Sequence, residues 1–409
     1  MTRKKKRVFV GMSGGVDSSV SAALLKRAGF EVIGVFIRVW EPSGFVCRWR
    51  EERREARRAA AHLDIPLSTL DLSREYKKRV VDYFIAEYKS GRTPNPDVMC
   101  NKHIKFGVFY DWAMKNGADF VATGHYAQIC NKFVPKFQTI NSKLETSIKF
   151  QSLKFKKLNI VSDLEINISN LPSFCQSKDL AKDQTYFLWN LKAEQLAKIL
   201  FPVGQYTKPQ VRALAKKFGL PNAEKKDSQG LCFIGKIDFK DFLKREIYGK
   251  RGTCPERSRG GVLNEQGKVI GQHDGAMFFT LGERHGFEIF SQTSDSKPYY
   301  IVAKDIKKNT LTVSPNFNQG QALTSEVKIE KTNWINQSSD LEVKPLGASR
   351  FNLQARVRYR QPLQACHLTQ VDNKKSTATI SFSKPQLAVS GQSLVLYDQN
   401  ICLGGGIIV

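Results

Sequence analysis

Short apolar runs alternate with amphipathic stretches through the first half of the chain. "RVFVGM" reads as a strand, "SSVSAALLKRAG" as a helix, "EVIGVFIRVW" as a strand, "EERREARRAAAHL" as a charged helix and "ADFVATGHYA" as a strand ending in a polar turn. Strand and helix in alternation predict an α/β fold with a doubly wound parallel sheet. From about residue 132 to 177 the period dissolves into Lys, Ser, Asn and Ile, the pattern of a long, mobile insertion. Helical spacing returns in "DQTYFLWNLKAEQLAKIL" and "KPQVRALAKKFGL". Further on, "KVIGQHDGAMFFTLG", "YYIVAKDIKKNTLTVSP", "LQARVRYR", "ATISFS" and "LVLYDQNICLGGGIIV" predict short strands and turns in two small β-rich, barrel-like modules. The expected division is an α/β domain over 1–240, a central β-rich domain over 241–318 and a C-terminal β-barrel over 319–409.

Composition changes this picture in three ways. The hydrophobic share is 41% and no apolar run has the length of a membrane span, so a soluble, cytoplasmic protein is expected with no membrane partner; a monomer is the expectation, although nothing in the sequence fixes the oligomeric state. The opening "MTRKKKRVFVG" is basic but passes straight into a strand, without the core of a signal peptide. Lys and Arg outnumber Asp and Glu by 64 to 38, a formal charge of +26, which calls for a polyanionic partner; nucleic acid is the commonest soluble one. Part of the excess is carried by the Lys-rich insertion "KFQTINSKLETSIKFQSLKFKK". The eight cysteines, at 47, 100, 130, 175, 232, 254, 366 and 402, include no CxxC pair, against both a local zinc site and a disulfide framework.

The strongest local motif is "GMSGGVDSS" at residues 11–19. It follows a strand and opens a helix, so its amides and the helix N-terminus can cradle a phosphate. The GK[ST] ending of a Walker loop is missing, which points away from terminal phosphoryl transfer. SGGxDS matches the loop of enzymes that split ATP between its α- and β-phosphates and so activate a carbonyl oxygen as an adenylate. Gly14 and Gly15 would allow close backbone approach, and Ser13 and Ser18 would bond phosphate oxygens. Asp17 should not face a phosphate bare, and a bridging Mg²⁺ is the simplest remedy.

An adenylated carbonyl needs a nucleophile, and two cysteines are candidates. In "NPDVMCN" Asn95 is a good N-cap and Pro96 suits the first helical position, so a helix beginning here would carry Asp97 and Cys100 on one face of its first turn. A helix start stabilises a thiolate. The second is Cys232 in "KKDSQGLCFIG". Each also reads as a small buried hydrophobe, and these stretches alone leave both readings open.

Taken in order, "GMSGGVDSS", "GRTPNPDVMCNKHIKFG", "ATGHYA", "KDQTYFLWNL", "GLPNAEKKDSQGLCFIG", "GQHDGAMFFTLGERHG", "ARVRYRQPL" and "CLGGGIIV" resemble the blocks of bacterial tRNA-specific 2-thiouridylases, of the ATP-pyrophosphatase superfamily, over nearly the whole chain. The resemblance implies ATP-dependent replacement of the 2-oxygen of the tRNA wobble uridine by sulfur. It implies that Cys232 carries the sulfur as a persulfide, loaded by a sulfur-carrier protein or a cysteine desulfurase. Cys100 would be the partner nucleophile, Asp97 the acid/base group, and Asn95, Pro96 and Asp97 the contacts to the target base. ATP would meet Gly11, Met12, Ser13, Gly14, Gly15, Val16, Asp17 and Ser18, with Ile37 and Gly124 near the adenine or ribose; Ile37 stands where the family usually has methionine. tRNA would be met by His125, Lys182, Asp183, Gln184, Arg358, Tyr359 and Gln392.

This sequence departs from the family at the 132–177 insertion and at "EPSGFVCRWREERRE", which leaves Cys47 without a role. Cys130 could join Cys100 and Cys232 in a three-thiolate iron–sulfur site, although cluster ligands are usually more regularly spaced. Two rivals from other classes are weaker. An ammonia-using synthetase would normally need an ammonia source, and no glutaminase-like portion is evident; a non-catalytic RNA-binding protein would have no use for an intact "SGGVDSS" and two thiols.

Overall fold

The computed structural model describes residues 5–42, 49–130, 172–226, 239–249, 259–290, 297–316, 323–335 and 353–409. The first half is built on a fully parallel five-stranded sheet. Its strands are β1 (Arg7–Gly11), β2 (Glu31–Arg38), β3 (Leu67–Asp71), β4 (Phe120–Ala122) and a fifth, Ile199–Leu200, in the order β3-β2-β1-β4 and then the fifth. Alternation within β1 fixes the two layers. Val8 and Val10 pack with Ala22 and Leu25 of α1 (Val16–Arg27) and Ala56, Ala59 and Ala60 of α2 (Trp49–His62). Phe9 points the other way, its ring 5.6 Å from Trp112 in an edge-on contact. The charged helix read from the sequence is thus α2, buried only through its alanines.

Because β2 lies on one side of β1 and β4 on the other, the loop leaving the C-terminal end of β1 opens into the crevice where strand order reverses. That is where ligands of open α/β sheets bind. The glycine-rich loop from 11 to 15 occupies this position.

Two further sheets lie in the second half. One has five strands and includes Gly260–Leu263, Val269–His273, Tyr300–Asp305 and Thr310–Ser314. The other has eight, and pairing of its strand Leu323–Trp334 with both Thr377–Leu387 and Ile401–Ile408 closes it into a barrel. Val327, Ile329, Ala355, Ile380, Phe382, Leu394 and Leu396 fill the barrel's core.

One join was not legible from the pattern. Gln128–Cys130 and Ser173–Cys175 form an antiparallel pair, and Ile401 of the barrel pairs with Cys175. The end of the aperiodic stretch is therefore a strand, with Phe174 and Cys175 buried. A three-residue strand is too short to show a period of two. The rest of that stretch, 131–171, lies outside the described residues, as do Cys47 and Cys254.

Candidate active site

The phosphate loop is held by its own side chains. Ser18 Oγ donates to the Gly15 carbonyl at 3.1 Å and accepts from Ser13 N at 3.3 Å, while Gly15 N donates to Ser13 Oγ at 3.4 Å. Met12 N donates to the Val35 carbonyl at 2.8 Å, fastening the loop to β2. Gly14 is in the left-handed region at φ +75°, and a Cβ there would lie 2.2 Å from the Glu52 carbonyl oxygen of α2. Gly124 is pressed as closely onto the start of α1: a Cβ would lie 2.6 Å from Ser18 N. Any side chain at 124 would cover an amide the loop offers to an anion. Ile37, at the end of β2, is half-buried beside Leu70 of β3.

Asp17 does not stand bare. Its carboxylate accepts from Tyr126 Oη at 2.9 Å and receives Lys208 Nζ at 2.8 and 2.9 Å, one bond to each oxygen. Its charge is met by an ammonium, a partner that the sequence reading of Asp17 did not include. Among the described residues no group of three or more His, Cys, Asp or Glu is placed to hold a metal.

Cys232 lies outside the described residues, but the segment leading to it is anchored under the loop. Asn222, 2% exposed, donates through Nδ2 to the Gly14 carbonyl at 3.1 Å and to Ser19 Oγ at 3.0 Å. Lys225 Nζ donates to the same Gly14 carbonyl at 3.2 Å. Seven positions separate Lys225 from Cys232, so the extended chain reaches at most roughly 25 Å.

The other thiol is built as the sequence predicts. Asn95 Oδ1 accepts from Asp97 N at 3.1 Å and Val98 N at 3.3 Å, and Pro96 takes the first helical position. The helix Pro96–Cys100 passes through a widened stretch, Asn101–Val108, into Phe109–Lys115. Such widened turns are frequent at functional sites. Cys100 is buried at 2% exposure and Asp97 is half-exposed beside it. The same helical run brings Phe109 to Gly11: a Cβ on Gly11 would lie 3.6 Å from the Phe109 ring. Nine residues of helix, roughly 13 Å, thus link the Cys100 turn to the phosphate loop.

Residues expected to meet tRNA divide into two groups. Arg358 is exposed, and Lys182 and Tyr359 are partly so; the Tyr359 ring stacks 4.4 Å from Phe187, whose carbonyl accepts from Asn101 Nδ2 at 3.0 Å, next to Cys100. The others have partners within the protein. Asp183, 1% exposed, accepts from Ser177 N at 3.0 Å and Thr185 Oγ1 at 2.7 Å and faces Arg356 at 3.7 Å. Gln184 is tied to Tyr126 at both its amide and its side chain. His125 is buried between Phe106 and Phe201, with Thr123 Oγ1 on Nδ1 at 2.8 Å and Lys105 Nζ on Nε2 at 3.3 Å. Burial first, then the Lys105 charge, holds its imidazole well below the ordinary range. A neutral ring accepting from Lys105 must carry its proton on Nδ1 and donate to Thr123. Gln392, half-buried, donates to the Thr93 carbonyl at 2.7 Å.

Other residues at this seam lie inside the motif blocks, where the sequence alone assigns them no role. Tyr126 and Asn101 take theirs from partners distant in sequence. The Arg92–Thr93 turn is clasped from both β modules: Thr93 N donates to the Ser390 carbonyl at 2.8 Å, Thr93 Oγ1 meets Thr280 Oγ1 at 3.1 Å, and Arg92 pairs with Glu330 at 2.8 Å. The remaining described thiols are of other kinds. Cys130 and Cys175 form a disulfide, which removes Cys130 from the suggested iron–sulfur set and pairs two cysteines that spacing gave no reason to join. Cys366 and Cys402 are core residues whose thiols burial pushes up to about 12.

A parallel sheet with a glycine-rich loop at its switch point, a thiol-bearing helix beside it and two appended β modules defines a multidomain HUP protein. Residues 6–236 match the family model described as tRNA methyl transferase HUP domain, 240–315 its PRC-barrel domain and 324–408 an aminomethyltransferase beta-barrel domain. A Legionella pneumophila protein named tRNA-specific 2-thiouridylase MnmA is 41% identical over 408 residues, covering 99% of this chain and 98% of that protein. Its namesake from Enterococcus faecalis is 38% identical over 407 residues, covering 99% and 95%. The chain belongs to the tRNA-specific 2-thiouridylase family. A solved 4-thiouridine synthetase–RNA complex with bound ATP is 17% identical over 56% of this chain and 46% of that one, with a TM-score of 0.31, too slight a likeness to carry an argument.

Proposed function

We propose that this chain is a tRNA-uridine 2-sulfurtransferase, which uses ATP to replace the 2-oxygen of the wobble uridine by sulfur. The uridine 2-oxygen attacks the α-phosphorus of ATP, pyrophosphate leaves, and the base carries AMP at C2. The amides from Gly11 to Ser18 steady the phosphates, and Gly124 leaves room for them. Cys232 brings the outer sulfur of a persulfide, loaded by a carrier protein or a cysteine desulfurase. Two routes then replace AMP. Cys100 attacks the persulfide, releasing hydrosulfide that adds at C2 and leaving a Cys100–Cys232 disulfide. Alternatively the outer sulfur of the persulfide adds at C2 and displaces AMP, after which the Cys100 thiolate attacks Cys232 Sγ, freeing the sulfur as the 2-thiocarbonyl and leaving the same Cys100–Cys232 disulfide. Asp97, one helical turn before Cys100, is positioned to move the protons.

The observation that carries this reading is the double tether of Asn222 and Lys225 to the Gly14 carbonyl, which roots the chain seven positions before Cys232 at the loop proposed for ATP. A methylase, the chemistry named by the family models, has no need of such a coupling between a pyrophosphate loop and a thiol. tRNA as the substrate is supported by the net charge of +26 and by a seam of cations near Cys100, where Lys102 has its pKa lowered by burial and by the charges of Lys331 and Lys192. The C-terminal barrel, taken as 319–409, would grip the RNA through Arg358 and Tyr359, and the reaction would take place in the cytoplasm, on a monomer.

The test is mass analysis of tRNA from a host lacking the activity, complemented with the chain, Cys100→Ser or Cys232→Ser. One sulfur-for-oxygen replacement should appear with the unaltered chain and with neither variant, while AMP formation partly survives in both. Unaltered tRNA in every arm rejects the proposal.

A further inference from the structure

The Gly11–Ser18 loop contains an acid, Asp17, in a place where a polyphosphate would bring up to four further negative charges. Backbone amides alone offset partial charges, so a loop of this kind needs full cations close by. Two are built in, from separate elements. Lys208, at the first position of the helix Lys208–Lys217, holds both Asp17 oxygens at 2.8 and 2.9 Å. The helix has a capping box between Thr207 and Gln210, Lys208 N donates to Asp179 Oδ2 at 2.8 Å, and the Lys208 side chain is only 12% exposed. Lys225 reaches the earlier part of the loop, with Nζ 3.2 Å from the Gly14 carbonyl oxygen. Its backbone is braced by Arg212 Nη1, which donates to the Lys225 carbonyl at 2.9 Å.

We infer that Lys208 and Lys225 form a cationic clamp that binds the β- and γ-phosphates of ATP across the loop. The inference rests on the proposed use of ATP and adds the residues that select a triphosphate. Lys208 gives one donor to each Asp17 oxygen, so it can trade one of these bonds for a phosphate oxygen and still hold the carboxylate by the other. With Asp17 neutralised by Lys208, the loop presents its amides without a bare negative charge. The departing pyrophosphate meets the same two cations, while AMP, with a single phosphate, does not span them.

Equilibrium binding of ATP and of AMP, measured separately without tRNA on the full chain, tests this. Lys208→Gln and Lys225→Gln should each weaken ATP about 10- to 100-fold, the scale of one lost charge-assisted hydrogen bond, and leave AMP within about threefold. Lys208→Arg, which keeps the cation, should recover most of the ATP affinity and controls for misfolding. Unchanged ATP affinity in both glutamine variants overturns the clamp. Equal loss of ATP and AMP also overturns it, because the lysines would then merely support the loop. If the unaltered chain binds no ATP, the adenylation reading itself fails.

Discussion

Gln392 of the C-terminal barrel donates a 2.7 Å hydrogen bond to the carbonyl of Thr93, two residues before the asparagine that caps the Cys100 helix. The bond spans 299 positions of sequence and ties the surface proposed to hold RNA to the turn that aims the thiol. Gln392→Ala should cost about 1 kcal/mol of stability, the net worth of one hydrogen bond. Its larger effect should fall on kcat for thiolation, with tRNA affinity little changed. Single-turnover thiolation beside filter binding of tRNA checks this; a loss confined to affinity would return Gln392 to the RNA surface.

Asp183 and Arg358 are close to the same barrel but should fail differently. Asp183→Ala leaves Arg356 buried without its carboxylate and should destabilise the fold by about 3–5 kcal/mol. Arg358→Ala should leave urea unfolding unchanged, weaken tRNA binding and reduce the salt slope of that binding by about one phosphate contact. Denaturation curves and salt titrations of both variants separate the two roles.

Gly14→Ala should disable the loop without unfolding the protein. The left-handed backbone costs about 1–2 kcal/mol for a residue with a side chain, and the Cβ, 2.2 Å from the Glu52 carbonyl oxygen, must push the loop from α2. A displacement of that order should lower AMP formation about 100-fold. Gly29→Ala is the control: it shares a positive φ, +91°, but has nothing within 4 Å of its Cβ. It should lose stability alone. Pyrophosphate release assays and thermal melts on the pair give the comparison.

Acid should weaken the fold through its histidines. Burial and the Lys105 charge depress His125, while burial with Lys102 and Arg79 pushes His103 down to about 4, and burial pushes His273 to about 4. The unfolded chain takes up these protons near the ordinary value of about 6.5, and the native chain does not. Stability is therefore complete above that pH and declines as pH falls towards 4. His125→Asn should flatten part of this decline. Urea unfolding at pH 7.5 and at pH 5 measures it; a difference as large in the variant as in the parent chain refutes the contribution.

Much of the first sheet was readable because its strands are apolar runs broken by a glycine-rich turn, and Pro96 behind Asn95 announced the Cys100 helix. The cation at Asp17 was not readable. Lys208 lies 191 positions away in an ordinary amphipathic helix, and only tertiary packing brings it to the loop. Burial was equally hidden: "KDQ" looks polar and exposed, yet Asp183 is drawn inward by Ser177, Thr185 and Arg356. The Cys130–Cys175 link depends on a pairing across the aperiodic stretch, where neither flanking strand exceeds three residues.

That pairing bears on how this chain tolerates its extra length. Cys130 stands opposite Ser173 on the neighbouring strand, so the two ends of the intervening stretch lie side by side. The pairing of these flanking strands is made by residues 128–130 and 173–175 alone. Excision of 131–172 in favour of a tight Asn-Gly reversal should therefore yield a shorter enzyme with the same architecture.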